Sequence, residues 1–413
     1  MFDTIIWIEW LEFAVRWVHA VTAIAWIGSS FYFIALDLGL RKVPESPPGT
    51  QGEQWQVHGG GFYHIQKYLV APARMPEHLI WFKWESYITW VSGFAMLVLV
   101  YYLGADLYLV DASVSEMSTN VGILVSLCSI AFGWIAYDFL CKSKLGNNST
   151  ALMVLLYALL VAMAWGYTQI FTGRAAFLHL GAFTATIMSA NVFFIIIPNQ
   201  KIVVADLMAG RTPDAKYGKI AKQRSTHNNY LTLPVIFFMV SNHYPLAFAT
   251  EYNWIIASLV FLMGVTIRHY FNSTHAGKGS PIWTWVATTL LFLAVMALSV
   301  APMYWATENT EEDEAMATPH EQIYISAAGF EDVQDIVLGR CSMCHTSEPM
   351  WDGILHPPKD VRLDTAPRIA RLARQIYIQA GVSRAMPPAN VSYMEEEERQ
   401  TIIKWYRAAQ SGS

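Results

Sequence analysis

Residues 175–197 read AAFLHLGAFTATIMSANVFFIII, a stretch without Asp, Glu, Lys or Arg. A helix needs about 20 such residues to cross the ~30 Å apolar layer of a bilayer, where it satisfies its own backbone polar groups. Segments of similar length and apolar character cover residues 14–37, 82–104, 121–140, 150–171, 175–197, 228–248, 253–270 and 282–305. The sequence therefore predicts an all-α domain over residues 1–305, an eight-helix transmembrane bundle.

The composition agrees with a membrane protein. Only 14% of the 413 residues are charged and 54% are hydrophobic, whereas about 25% of the residues of a soluble protein are charged. The formal net charge is -5, which excludes the broadly basic surface of a nucleic-acid-binding protein. We therefore expect a lipid bilayer, and no nucleic acid, among the partners.

Lys and Arg residues are distributed unevenly between the two sides of the predicted bundle. The loops after spans one, three, five and seven carry 13 of them, whereas the N-terminus and the other loops carry only Arg174. Basic loops remain in the cytoplasm. Since the number of predicted spans is even, both termini are expected on the outer side.

A weak internal repeat relates the first and fifth spans. His19 and Ile27 of span one correspond to His179 and Ile187 of span five, at an offset of 160 residues. Both spans run in the same direction, so the bundle would contain two parallel four-helix halves. Chance similarity between two apolar helices is the alternative.

The chain becomes polar after the last span. Residues 308–314 read ENTEEDE, and this composition predicts a solvated acidic tether over residues 306–318. Residues 319–413 then form a separate soluble domain, in which helix-compatible stretches cover Glu321–Leu338 and Glu395–Ala409.

The soluble domain contains the motif Cys341-Ser-Met-Cys344-His345. This C-x-x-C-H spacing attaches a c-type haem through two thioether bonds, with the histidine as an iron ligand. Met386, in Ala-Met-Pro-Pro, is the expected second ligand; Met343, Met350 and Met394 are alternatives. A structural zinc or redox motif would need a second ligand pair, which residues 319–413 lack. We predict a small, all-α, class I-like cytochrome c domain with one covalent haem c.

Haem c is attached on the outer face of a bacterial inner membrane, the same side to which the charge count assigns this domain. The sequence therefore predicts a multi-pass protein of that membrane, with both termini and the cytochrome c domain in the periplasm.

Ionisable residues within membrane spans are costly and therefore mark candidate sites. Near the predicted outer face lie His19, His179 and His243. Neutral imidazoles on neighbouring helices can hold a second haem, of the b type, and His19 is the preferred ligand of its iron. Alternatively, each histidine is hydrogen-bonded to an adjacent helix.

A different polar group lies near the predicted inner face, where its members are Lys83, Glu85, Asp138, His227, Asn228, Asn229, Arg268 and His269. Amides and imidazoles there suit a flat heterocycle rich in N–H and C=O groups, and Arg268 suits an anionic oxygen. The alternative is helix capping by Asn228 and extension of Arg268 and Lys83 towards the interface.

The order of spans, acidic tether and haem c domain resembles the membrane-bound, cytochrome c-linked urate oxidases of bacteria, over essentially the whole chain. The stretches that carry the resemblance are Trp84–Gly93 (WESYITWVSG), His227–Pro234 (HNNYLTLP) and Ser241–Pro245 (SNHYP). Arg16–His19 with Trp26–Gly28 is also similar to the first helix of membrane protoporphyrinogen oxidases, in which that histidine is tied to haem. The second half departs from this pattern, with Thr186 in place of the tryptophan.

The resemblance implies oxidation of urate to 5-hydroxyisourate with water as the oxygen source. Electrons would pass to haem c and then, through a soluble or membrane cytochrome c or a terminal oxidase, to the respiratory chain. The candidate bases are His227, His269 and Glu85, and the candidate substrate ligands are Asn228, Asn229, Thr232 and Arg268. Two alternatives are an electron carrier from quinol or another donor to cytochrome c, and a haem-regulated transporter.

Overall fold

The structure is a computed structural model that describes residues 4–68, 76–110, 114–305, 317–354 and 356–411. The helices of its larger part are α1 (Thr4–Gly39), α2 (Trp84–Met96), α3 (Ala105–Tyr108), α4 (Thr119–Lys142), α5 (Ser149–Thr168), α6 (Gly173–Ala190), α7 (Ile197–Met208), α8 (Ala215–Ser241), α9 (Pro245–Phe248), α10 (Asn253–His275) and α11 (Trp283–Trp305). π-Helical turns over Leu97–Tyr102 and Asn191–Ile196 continue α2 and join α6 to α7.

Every predicted span is helical over most of its length, and the chain is mostly helical. Within the described ranges, six helices are long and apolar enough to cross a membrane: Thr4–Gly39, Thr119–Lys142, Ser149–Thr168, Gly173–Met208, Asn253–His275 and Trp283–Ala301. They are compatible with a multi-pass membrane protein. The helices α2 and α8 fall outside this set, and α8 begins with several polar turns. The eight-helix membrane bundle and its internal repeat therefore remain predictions.

One element departs from the all-α prediction. Strands β1 (Thr50–His58) and β2 (Gly61–Tyr68) form an antiparallel hairpin in the loop after α1. The connecting Gly59 and Gly60 have positive φ angles of 58° and 79°, which favour the tight turns of two-residue hairpins. The signal was present in the sequence as a Gly-Gly pair between two stretches of β-forming residues, but the prediction did not include it.

Helix α6 lies at the centre of the bundle. Leu180, Phe183 and Ile187 are almost completely buried, and α6 packs against α4, α5 and α8. Gly133 of α4 allows the closest approach, because a Cβ atom there would lie 2.3 Å from the Phe183 ring. The outer surface instead carries exposed apolar side chains, which include Trp17, Ile24, Ile135 and Phe139. Such a surface is suited to lipid.

The C-terminal part contains α12 (Pro319–Ile325), α13 (Phe330–Arg340), α14 (Ala366–Arg371), α15 (Ala373–Ile376) and α16 (Glu396–Ser411). Its core includes Val333, Val337 and Trp405, and the Trp405 indole donates to the Tyr324 carbonyl at 2.9 Å. Gly329, with φ of 86°, separates α12 from α13 and interrupts the single helix expected there. Residues 306–316 of the predicted tether lie outside the described residues, and the domain limits remain predictions.

The C-terminal part docks on one end of the helix bundle, which we call the upper end. Arg374 contacts Glu9 of α1 at 3.0 Å, and the Gln375 amide donates to the Tyr108 hydroxyl at 2.7 Å. The opposite, lower end carries the ion pairs of Asp37 with Lys67 and Lys222. The Arg374 and Gln375 contacts hold the C-terminal part against the upper end.

Candidate functional sites

The residues of the C-x-x-C-H motif begin where α13 ends. Cys341 ends that helix, and the backbone N–H of His345 donates to the Cys341 carbonyl at 3.0 Å. The His345 Nδ1 atom lies 2.8 Å from the Val361 carbonyl, a bond that assigns the proton to Nδ1 and leaves Nε2 for a metal. Burial lowers the pKa of His345, although the bond to Val361 opposes this effect. The neutral imidazole is the form that binds iron.

Met386 belongs to a segment that Arg399 holds in place. The guanidinium of Arg399 is buried and donates to the carbonyls of Met386 and Ala380 at 3.0 and 2.6 Å. Among the alternative ligands, Met394 is buried in the domain core, whereas Met343 and Met350 are exposed. Two free thiols, an imidazole with an available nitrogen and an anchored methionine therefore fit a covalently attached haem c.

The same domain contains a charge cluster next to the motif. The Asp364 carboxylate accepts hydrogen bonds from the Ser347 backbone at 3.0 Å and from Arg368 at 2.7 Å. Burial acts to raise the pKa of Asp364, but these hydrogen bonds outweigh it and hold the pKa below its usual value of 3.8. The cluster ties the segment after His345 to the start of α14.

His19 is the histidine with an available ring nitrogen. Its Nδ1 atom lies 3.0 Å from the Thr89 carbonyl and 3.2 Å from the Ser92 hydroxyl, both on α2. The Nε2 atom bonds to none of the described residues. Gly93 allows this contact between α1 and α2, because a Cβ atom there would lie 2.9 Å from His19 Cε1. A histidine fixed through Nδ1 with Nε2 open has the arrangement of a metal ligand.

The other two predicted haem b ligands are in different surroundings. His179 is fully buried, with Nδ1 2.7 Å from the Ala175 carbonyl and Nε2 2.8 Å from the Ser126 hydroxyl. Both nitrogens are therefore occupied by protein. His243 is exposed in the turn after α8. The structure thus distinguishes His19 from His179, which occupies the corresponding position of the proposed repeat.

The polar residues in the lower half form two groups, and the first surrounds Tyr137. The Tyr137 hydroxyl lies 2.7 Å from His227 Nδ1 and accepts from the Asn191 amide at 3.2 Å. The same amide donates to Asn228 at 2.9 Å, and Arg224 donates to Asn191 at 3.2 Å. We call these residues the Tyr137 network. Most of its polar atoms have protein partners, so it joins α4, α6 and α8 rather than leaving a cavity.

The second group surrounds Arg268 and is called the Arg268 cluster. Arg268 donates to Asn229 at 3.3 Å and to Asn272 at 3.1 Å, and the Asn272 amide donates to Asn229 at 2.9 Å. The guanidinium carbon lies 4.0 Å from the centre of the Phe31 ring. These contacts hold a buried cation between α1, α8 and α10.

A cavity of about 340 Å³ opens next to the Arg268 cluster. The residues lining it are Phe31, Leu233, Ile267, Arg268, Phe271 and His275. Two buried nitrogens have no partner among the described residues, His275 Nδ1 and the neighbouring Asn229 Nδ2. Sequence reasoning missed His275 because the predicted span ended at residue 270; its spacing of seven residues from Arg268 could have indicated a shared helix face.

Residues 5–299 match the family model described as urate oxidase N-terminal. The chain belongs to this family. No curated protein and no solved structure matches it. Membership confirms the predicted relationship to urate oxidases and indicates an oxidoreductase that acts on urate. The match ends before the C-terminal part, so the link to cytochrome c remains a prediction.

The structure places the remaining predicted residues as follows. His269 is exposed, with its ring 6.1 Å from that of Trp283, and so points away from Arg268. The Thr232 hydroxyl donates to the Asn228 carbonyl of its own helix at 2.7 Å. Glu85 is partly exposed in the first turn of α2, and its carboxylate bonds to none of the described residues.

Proposed function

We propose that this protein oxidises urate to 5-hydroxyisourate with water as the oxygen source and passes the electrons to haem c. The observation that carries the proposal is the cavity at the Arg268 cluster, in a chain of the urate oxidase N-terminal family. Its volume falls within the range of about 300–1,000 Å³ that is typical of small-molecule sites.

The cavity offers a purine anion one cation and flat apolar walls. Urate is a planar anion at neutral pH, and a guanidinium such as that of Arg268 pairs with anionic oxygens. The rings of Phe31 and Phe271 line the same cavity and offer flat apolar surfaces. Asn229 accepts a hydrogen bond from Arg268 at 3.3 Å and so holds the guanidinium beside the cavity.

The overall reaction converts urate and water into 5-hydroxyisourate, two protons and two electrons. A base must therefore lie beside the substrate. We assign this role to His275, because its unpartnered Nδ1 atom belongs to a residue that lines the cavity. The bases predicted from the sequence were His227, His269 and Glu85. Within the described residues, none of them lines this cavity.

The electron acceptor is proposed to be haem c, held by Cys341, Cys344, His345 and Met386. When attached, this group accepts one electron at a time. His19 is proposed to hold a haem b between the cavity and the C-terminal part. Because a helix rises about 1.5 Å per residue, His19 lies ~18 Å above Phe31 along α1.

The orientation follows from the distribution of basic loops. We propose that the lower end faces the cytoplasm of a bacterium and the C-terminal part faces the periplasm, where a cytochrome c would receive the electrons. Urate would then enter from the side on which it is produced.

The test is an anaerobic absorbance spectrum of the purified full-length protein before and after addition of urate. The c-type α-band is expected to rise with urate and not with xanthine. In Arg268→Gln this urate-dependent rise should fall at least tenfold, whereas full reduction by dithionite should be unchanged. Arg211→Gln, in an exposed ion pair at the lower end, is the matched control. Reduction by a quinol but not by urate would support the electron-carrier alternative and overturn the proposal.

A further inference from the structure

The hairpin of β1 and β2 packs one of its faces against α1. The Tyr32 hydroxyl donates to the Gln56 side chain at 2.7 Å, and a Cβ atom on Gly39 would lie 3.1 Å from the Gln54 side chain. Gln54 and Gln56 are two residues apart on β1, so they lie on the same face of the hairpin. Tyr32 and Gly39 are seven residues apart on α1, which is about two turns. The hairpin therefore runs back along the last two turns of α1 rather than away from the bundle.

The opposite face of the hairpin is apolar and exposed. Cross-strand pairing places Trp55 opposite His64 and Val57 opposite Phe62, so these four side chains share one face. The Trp55 and His64 rings are stacked, with their centroids 4.2 Å apart. Trp55, Val57 and Phe62 are nevertheless 63%, 70% and 79% exposed. A rigid face of this composition indicates a surface that another apolar medium covers.

Further aromatic side chains lie at the same level of the bundle. Phe33, next to Tyr32 on α1, contacts the exposed Phe82, with ring centroids 4.7 Å apart. Trp84, which is also exposed, begins α2 two residues later. Tyr32 and Phe33 lie near the end of the predicted span 14–37, and aromatic residues collect where membrane spans enter the headgroup layer. The level of the hairpin therefore matches the lower membrane interface.

The backbone of the hairpin restricts it to the headgroup layer. Among the described residues, β1 and β2 pair only with each other, apart from one bridge between Arg41 and Glu53. The remaining backbone groups at the outer edges need water, which the hydrocarbon layer lacks. Arg41 and Lys42 are exposed at the base of the hairpin, where cations suit the phosphate groups of lipids. The edges and the base therefore fit headgroups, whereas the apolar face fits the upper part of the acyl chains.

We infer that the hairpin anchors the lower end of the bundle in the headgroup layer of a lipid bilayer, with Trp55, Val57 and Phe62 inserted among the lipids. The anchor requires the membrane location proposed above for the bundle, but it requires neither urate oxidation nor haem. Because Tyr32 holds the hairpin and adjoins Phe31 of the cavity, the anchor fixes the depth of the cavity relative to the membrane surface.

The experiment identifies what the exposed face of the hairpin touches in a bilayer. The photo-cross-linking residue p-benzoylphenylalanine replaces Phe62, Gln51 or Ile24, one at a time, in the full-length protein within nanodiscs of phosphatidylethanolamine and phosphatidylglycerol. Gln51 is exposed at the base of the same hairpin and is the matched control. Ile24, which is exposed on α1, reports the membrane location. After illumination, mass spectrometry should find at least fivefold more lipid adduct at Phe62 than at Gln51.

The results that would overturn the anchor are distinct from one another. A lipid adduct at Ile24 with equal yields at Phe62 and Gln51 would overturn the anchor and leave the membrane location intact. Cross-links from Phe62 to a second chain in place of lipid would assign the face to a dimer and also overturn the anchor. Absence of lipid adducts at Ile24 would overturn the membrane location and the anchor with it. Failure of urate oxidation would leave all of these yields unchanged.

A second arm tests whether the apolar character of the face drives its insertion. With the cross-linking residue at Val57, Phe62→Glu should lower the yield of lipid adduct at least fivefold, because a carboxylate loses its water when it enters an apolar layer. Phe62→Leu keeps an apolar side chain and should retain the yield. Both positions are exposed, so these changes leave the core of the bundle intact. An unchanged yield in Phe62→Glu would overturn the inference.

Discussion

Replacing Arg399 with methionine tests how the C-terminal domain positions Met386. The methionine side chain fills the space of the arginine stem, so the change removes mainly the guanidinium. The buried carbonyl of Ala380 and the partly buried carbonyl of Met386 then lose their donors. Each unpaired carbonyl costs about 1–3 kcal/mol. The buried Ala380 carbonyl alone therefore gives an expected loss of about 1–3 kcal/mol, out of the roughly 5–15 kcal/mol that stabilises a domain.

Thermal unfolding of the full-length protein, followed by circular dichroism and by the haem c band, measures this loss. At about 4–8 °C per kcal/mol for a domain of this size, the transition should fall by at least ~4 °C. The segment that carries Met386 should also loosen, so the haem c midpoint potential should fall, because methionine ligation raises it.

Arg384→Met is the matched control, because Arg384 lies in the same segment but is 76% exposed and pairs with Glu396 at the surface. An exposed ion pair contributes little to stability, so this variant should unfold like the wild type. Equal transition temperatures for Arg399→Met and Arg384→Met, with an unchanged haem c potential, would refute the assigned role of Arg399.

Three further predictions concern other contacts. Gly93→Ala should push the ring of His19 away, because the new Cβ atom would lie 2.9 Å from it. Haem spectra should then show less haem b, with haem c retained. An unchanged ratio of haem b to haem c would contradict the assigned packing. Arg374→Gln removes the 3.0 Å contact with Glu9 and should speed proteolytic cleavage between the bundle and the C-terminal domain. An unchanged cleavage rate would mean that this contact is not needed to hold the domain on the bundle. The pKa of Asp364 lies below 3.8 in the folded state. The ionised carboxylate therefore stabilises the folded domain above about pH 4, and this stabilisation is lost as the pH falls through the pKa of the folded state. Asp364→Asn should therefore lower the unfolding temperature at pH 7 but not near pH 2, and an equal difference at both values would exclude the linkage.

The polar residues of the lower half show which features of a site a sequence pattern can predict. The residue types near Arg268 and His227 predicted a substrate site, and the structure shows buried polar side chains there. The structure divides those residues into the Tyr137 network, whose polar atoms mostly have protein partners, and the Arg268 cluster beside the cavity. Adjacent positions such as Asn228 and Asn229 point to different neighbours because successive side chains on a helix are about 100° apart.

The helical segments and the C-x-x-C-H motif could be read from the sequence alone, because both depend on residues close together in the chain. A long apolar run must form a helix in lipid. The two cysteines and the histidine of the motif lie within five consecutive residues, so they are close together in any fold. Only the tertiary structure distinguished His19, with an open nitrogen, from His179, with both nitrogens bonded. The physical reason is that a polar group in an apolar layer takes its partner from another helix, and helix packing brings together residues that are distant in the chain.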